Sequence, residues 1–114
     1  MEFLRENAEF FEGKAREAIK EKPRFVLFFV EQAIQLYIKY ILAKVLEDYP
    51  LFHELSKIDE RAKKFYEDYA DVLDLVEEAY ITARYLGKEY SEKSAKRALE
   101  MLDSFKEVFK EWLV

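Results

Sequence analysis

The chain has 114 residues, 51% hydrophobic and 17% aromatic, which suits one domain with a filled core and excludes a disordered polypeptide. Two glycines and two prolines are too few for the turns of a strand-rich fold, and the lack of cysteine excludes disulfides, a thiolate nucleophile and Cys-based zinc sites. A formal charge of −5 disfavours broad nucleic-acid binding, because polyphosphate is repelled at long range.

The charged stretch 1–7 lacks the apolar core of a secretion signal, so a cytoplasmic protein is expected. Lys and Glu are abundant while Asn occurs once, a thermophile-like composition. No linker, repeat or composition shift divides the chain, so residues 1–114 read as a single domain.

In chain order, a first helix is predicted over about residues 2–20. Leu4, Ala8, Phe11, Ala15 and Ala18 recur at spacings of three and four and make one apolar stripe. Gly13 weakens it slightly, and Pro23 ends it. A second helix is predicted over residues 24–47. Its run FVLFFVEQAIQLYIKYILAKVL is apolar nearly all round and long enough for a membrane span. Glu31, Gln32, Gln35, Lys39 and Lys44 interrupt that run, and charge is expensive in lipid, so a helix buried within the protein is the better reading. In a small bundle such a helix is central, or lies in a subunit interface, or both.

Asp48-Tyr49-Pro50 breaks the chain. A short helix is predicted at 53–58, and Asp59 caps a further turn holding Ala62, Phe65 and Tyr66. The next long helix is predicted over 69–86. Tyr69, Val72, Val76, Ala79 or Tyr80, and Ala83 line one face, and Gly87 follows as C-terminal cap. The last helix begins at the N-cap Ser91. Ala95, Ala98, Leu102, Phe105, Phe109 and Trp112 then give the most regular stripe in the chain. The expected class is all-α, an up-and-down bundle of about five helices.

Familiar catalytic chemistry is missing. There is no glycine-rich phosphate loop, and one histidine is too few for the usual zinc constellations. The serines lack a nucleophile-elbow context, and His53 is the only imidazole. No metal site or cofactor is implied.

What remains is a polar wedge on the second helix. At about 100° per residue, Glu31, Gln35, Lys39 and Gln32 share a sector about 100° wide. Buried polar groups need partners. The wedge therefore either reaches solvent and neighbouring helices, or lines a cleft or symmetric interface. His53, just after the Pro50 break, suits a cap, a packing role or a ligand. Arg84, in a last helical turn beside Tyr85, complements the helix dipole and equally suits a phosphate.

These residues together resemble the HEPN domain, named for nucleotide binding in higher eukaryotes and prokaryotes. The segment Glu31-Gln32-Ala33-Ile34-Gln35-Leu36-Tyr37-Ile38-Lys39 is similar to the family's "QA…K" helix. Pro50-Leu51-Phe52-His53-Glu54-Leu55 resembles its P-x-x-H-D/E-L turn, and Ala79-Tyr80-Ile81-Thr82-Ala83-Arg84-Tyr85 its Y-x-x-A-R-Y helix end. Ser91-Glu92-Lys93-Ser94-Ala95 resembles the start of its last helix. The resemblance implies a bundle that often dimerises. It also implies a role beside a minimal nucleotidyltransferase, as an RNA-cleaving toxin, or as a nucleotide- or substrate-binding module.

Cleaving members carry Arg, four to six residues, then His. Positions 89–91 after Arg84 are Glu, Tyr and Ser, and positions 46–48 before His53 are Leu, Glu and Asp, so the motif is missing. Leu86 replaces the common proline after Arg-Tyr, and Gln35 stands at the usual Glu.

The leading expectation is a non-catalytic, homodimeric nucleotide- or substrate-binding module with a separately encoded nucleotidyltransferase partner, a toxin–antitoxin-like pair. Glu31, Gln32, Gln35, Lys39, His53, Arg84 and Tyr85 would contact nucleotide, substrate or partner. One alternative is a ribonuclease with a rearranged site, His53 as acid or base and Arg84 stabilising the phosphorane. The other is a purely structural dimerisation domain, suggested by the large apolar groups Phe25, Phe28 and Phe29.

Overall fold

A computed structural model describes residues 2–45, 60–85 and 91–113. Four helices follow in order: α1 (Glu2–Glu21), α2 (Pro23–Val45), α3 (Glu60–Tyr85) and α4 (Glu92–Val108), then a 3-10 turn, Lys110–Trp112. Only Lys22 separates α1 from α2. Its N–H donates to the Ala18 carbonyl at 2.8 Å, and the Phe25 N–H donates to the Lys22 carbonyl at 2.9 Å. Pro23 opens α2 at a position where no helical N–H is needed. The two helices fold back as an antiparallel hairpin in which the Phe11 and Phe29 rings stack at 6.3 Å.

The pairings across the bundle fix its direction. Arg5 reaches Leu113 and Arg16 reaches Asp103, so α1 and α4 run antiparallel. Phe65 meets Phe109, and Arg97 lies over Tyr69, so α3 and α4 do too. The result is an all-α, up-and-down bundle. α2 packs against each of the other three helices. It also supplies the largest share of the core: Val26, Leu27, Val30, Ala33, Ile34, Tyr37, Ile38 and Ile41 are all buried. No helix of the described residues is long and apolar enough to cross a membrane.

α4 follows its stripe closely. Ala95, Ala98, Leu102, Phe105 and Phe109 are buried, Met101 joins them, and Trp112 is half-buried. The Ser91 hydroxyl accepts the Ser94 N–H at 3.0 Å, which caps the helix. At the other end, aromatic rings form a column. Phe105 and Phe109 lie 4.8 Å apart, Phe65 sits 5.4 Å from Phe105, and Trp112 stacks on Phe109 at 5.6 Å. Arg61 lies 4.6 Å over the Trp112 ring and pairs with Glu111, clamping the terminal turn to the start of α3.

Two expectations are corrected. The turn around Ala62–Tyr66 and the helix expected from 69 are one helix, α3, kinked at Tyr69 (φ −118°, ψ 17°). Phe65, Val72, Val76 and Ala79 keep one buried face across that position, so packing carries the helix through. The described residues therefore form four long helices rather than about five. The short helix expected at 53–58, the Asp59 cap, residues 46–47 and Gly87 lie outside the described residues. The phenylalanines of α2 are also less open than their number suggests. Phe25, Phe28 and Phe29 are half-buried, and among the described residues the large apolar ones left exposed are Phe3 and Phe10 on α1 and Tyr66 on α3.

Truncating the column should be costly. Phe105→Ala is expected to lose about 3–5 kcal/mol of unfolding free energy in urea titrations. Lys110→Ala, at a side chain 72% exposed, should stay within about 0.5 kcal/mol of the parent.

Candidate functional site

Glu31, Gln35 and Lys39 stand on successive turns of α2, and Gln32 follows Glu31. The structure brings these four together. With Leu36 they line one groove of about 320 Å³. Glu31 is buried, Gln32 and Gln35 are half-buried, and Lys39 is exposed, so the strip runs from the core edge out to solvent. The Gln35 amide donates to the Glu31 carboxyl, and Glu77 on α3 adds negative charge nearby.

Burial pushes the Glu31 carboxyl above the ordinary carboxylate range, and Glu77 adds to the shift. The hydrogen bond from Gln35 and the positive charge of Lys39 oppose it. A carboxyl held this way at the edge of a groove is costly to ionise and open to a donor that would favour its charged form.

Of the other expected site residues, Arg84 and Tyr85 close the last turn of α3. His53 lies outside the described residues. A larger cavity, about 620 Å³, lies between α3 and the start of α4, away from the polar strip. Its charges offset one another, Lys93, Lys96 and Arg97 against Asp71, Glu92 and Glu100, and Lys96 pairs with Glu92 at 3.6 Å. Among the described residues no three His, Asp or Glu side chains converge as a metal site.

A second polar centre was missed from the sequence. Glu12 is buried on the inner face of α1 between Ala8 and Ala15. One carboxylate oxygen accepts the Tyr37 hydroxyl at 2.7 Å and Lys106 Nζ at 2.9 Å. The other accepts Arg16 at 2.8 and 3.1 Å and Lys106 again at 3.1 Å. Arg16 reaches on to Asp103 at 2.5 Å. Burial alone would raise the Glu12 carboxyl. The hydrogen bonds from Lys106, Tyr37 and Arg16 outweigh it and hold the group below its ordinary value. Burial and the facing Glu12 carboxylate push the Tyr37 hydroxyl far up, so it stays a donor. The network joins α1, α2 and α4 and leaves the carboxylate saturated, which is the chemistry of a structural pin rather than a reactive group. Its signal was visible: Ala8, Glu12 and Ala15 share a helical face, with a carboxylate at the centre of an apolar stripe.

Against known proteins, a family model described as HEPN domain matches residues 1–112. No curated protein and no solved structure matches the chain.

The two carboxyls should act oppositely on stability. Glu31 holds its proton more tightly folded than unfolded, so its contribution is full in acid and fades as pH rises from about 4.3 through the folded value. Glu31→Gln should therefore melt higher than the parent at pH 7, with the gap closing below about pH 4. Glu12 is the reverse, stabilising above its unfolded value and losing that stabilisation as pH falls through its folded one. Tyr37→Phe removes a buried bond to that carboxylate and should cost about 1.5–3 kcal/mol at neutral pH. Calorimetric melts across pH check both. A Glu31→Gln protein less stable at pH 7 would contradict the assignment of strain to that carboxyl.

Proposed function

The chain belongs to the HEPN domain family, and on that premise we propose that it is a non-catalytic, single-domain binding module working in the cytoplasm with a separately encoded minimal nucleotidyltransferase, as one half of a toxin–antitoxin-like pair. HEPN domains commonly partner with nucleotidyltransferases. The observation that carries the reading is the groove on α2. Glu31, Gln32, Gln35 and Lys39 converge there on a helix that is otherwise enclosed. Four polar side chains beside one apolar residue suit a small polar ligand, which is held by hydrogen bonds and charge. The missing Arg-x4-6-His pattern supports binding over cleavage.

In this reading the amides and carboxyl of the groove orient a nucleotide or substrate, and Lys39 offers an exposed cation for an anionic group. Arg84 and Tyr85 at the end of α3 supply a phosphate fork and a stacking ring, and His53 adds a further polar contact. The module is a homodimer, with the exposed Phe3 and Phe10 of α1 as apolar surface for contact with a second copy.

Calorimetric titration with nucleotides should show binding that Gln35→Ala combined with Lys39→Ala weakens at least about tenfold. Affinity purification of the tagged protein should retain a nucleotidyltransferase. Absence of heat with every nucleotide, together with absence of the transferase, overturns the proposal. Light scattering of a dilute solution is expected to give twice the 13.8 kDa chain mass, and a monomer refutes the dimer.

A further inference from the structure

The α2 groove has a direction. Glu31 lies at one end, buried and with Glu77 of α3 nearby, while Lys39 stands two turns further on, about 12 Å along the helix axis and exposed to water. An anionic group is repelled from the first end and attracted to the second. A ligand that fits both ends carries its hydrogen-bond donors at one side and its negative charge at the other.

We propose that the groove selects a guanine nucleotide, with Glu31 reading the base and Lys39 holding its phosphate. The inference rests on the reading of this groove as a nucleotide site and goes further, to which base it takes. An ionised carboxylate only accepts hydrogen bonds, and its two oxygens match two donors held side by side. The pairing edge of guanine presents N1–H beside the N2 amino group. Adenine and cytosine place a bare ring nitrogen beside their amino group, and that lone pair faces the carboxylate. Uracil and thymine flank a single N–H with carbonyl oxygens. Only guanine therefore satisfies both Glu31 oxygens.

The remaining wall fits the same base. The Gln35 amide already donates one hydrogen bond to Glu31 and favours its charged form. Gln32, next to Glu31 in the groove, carries an amide N–H suited to guanine O6. Leu36, half-buried between Gln35 and Lys39, offers an apolar contact to the purine face. Recognition is thus built along one helix, with base specificity at the buried end and charge at the open end.

The test is isothermal titration of GMP, AMP and guanosine into the parent protein, Glu31→Gln and Lys39→Ala, with thermal melts showing that each variant is folded. The expected result is GMP binding at least about tenfold tighter than AMP. Glu31→Gln should weaken GMP by a similar factor without weakening AMP. Lys39→Ala should bring GMP down to the affinity of guanosine and keep the base preference. AMP binding as tightly as GMP, or a guanine preference that survives Glu31→Gln, overturns the selectivity while leaving the nucleotide site standing. Binding of none of the three overturns the nucleotide reading and this inference together.

Discussion

The enclosure of α2 is the constraint from which the rest of the fold follows. Val26, Leu27, Val30, Ala33, Ile34, Tyr37, Ile38 and Ile41 cover far more of its circumference than one neighbour can shield. Three helices are needed around it, and α1, α3 and α4 take those places. The sector left over is the one where burial is unprofitable, and there stand Gln32, Gln35 and Lys39 with Glu31 at the inner edge. Core and candidate site are thus two sides of one element. The groove wall is a helix braced by packing on its other faces, so its backbone is held in place.

Apolar packing alone is tolerant of sliding, and the Glu12 network supplies the register it lacks. A buried carboxylate must find its donors or suffer a large desolvation penalty. Those donors come from α1 itself through Arg16, from α2 through Tyr37 and from α4 through Lys106. A shift of one turn of α2 or α4 against α1 would take Tyr37 or Lys106 away from the carboxylate and leave it under-matched. Lys106 also lies 5.8 Å over the Tyr37 ring, tying the same two side chains a second way.

Much of this was legible from residue order. The stripe from Ala95 to Trp112 located α4 and its buried face, and the wheel of α2 placed Glu31, Gln32, Gln35 and Lys39 on one side, where the groove lies. Local periodicity sees one helix at a time, which is why those succeeded. It was blind to what depends on a second helix. The role of Glu12 appears only when Tyr37 and Lys106 arrive from elsewhere. The half-burial of Phe29 depends on α1 folding back over α2. Continuity through Tyr69 was missed for a related reason. The local pattern there admits a break, and the shared face of Phe65 and Val72 against the core overrides it.

The kink at Tyr69 divides labour along α3. Phe65 and Arg61, on its N-terminal side, belong to the aromatic column and the clamp on Trp112. Val76, Ala79 and Glu77, on its C-terminal side, lie in the half of the helix that faces the groove residue Glu31. The Tyr69 ring itself is held between Phe65 at 5.0 Å and Arg97 at 5.1 Å. Amino-acid change at Phe65 or at the buried Val76 and Ala79 is therefore read out as melting temperature, whereas change at the exposed Glu77 alters the electrostatic setting of Glu31. A lineage of such proteins is free to vary the charge that α3 sets beside Glu31 without reopening the question of how the chain folds.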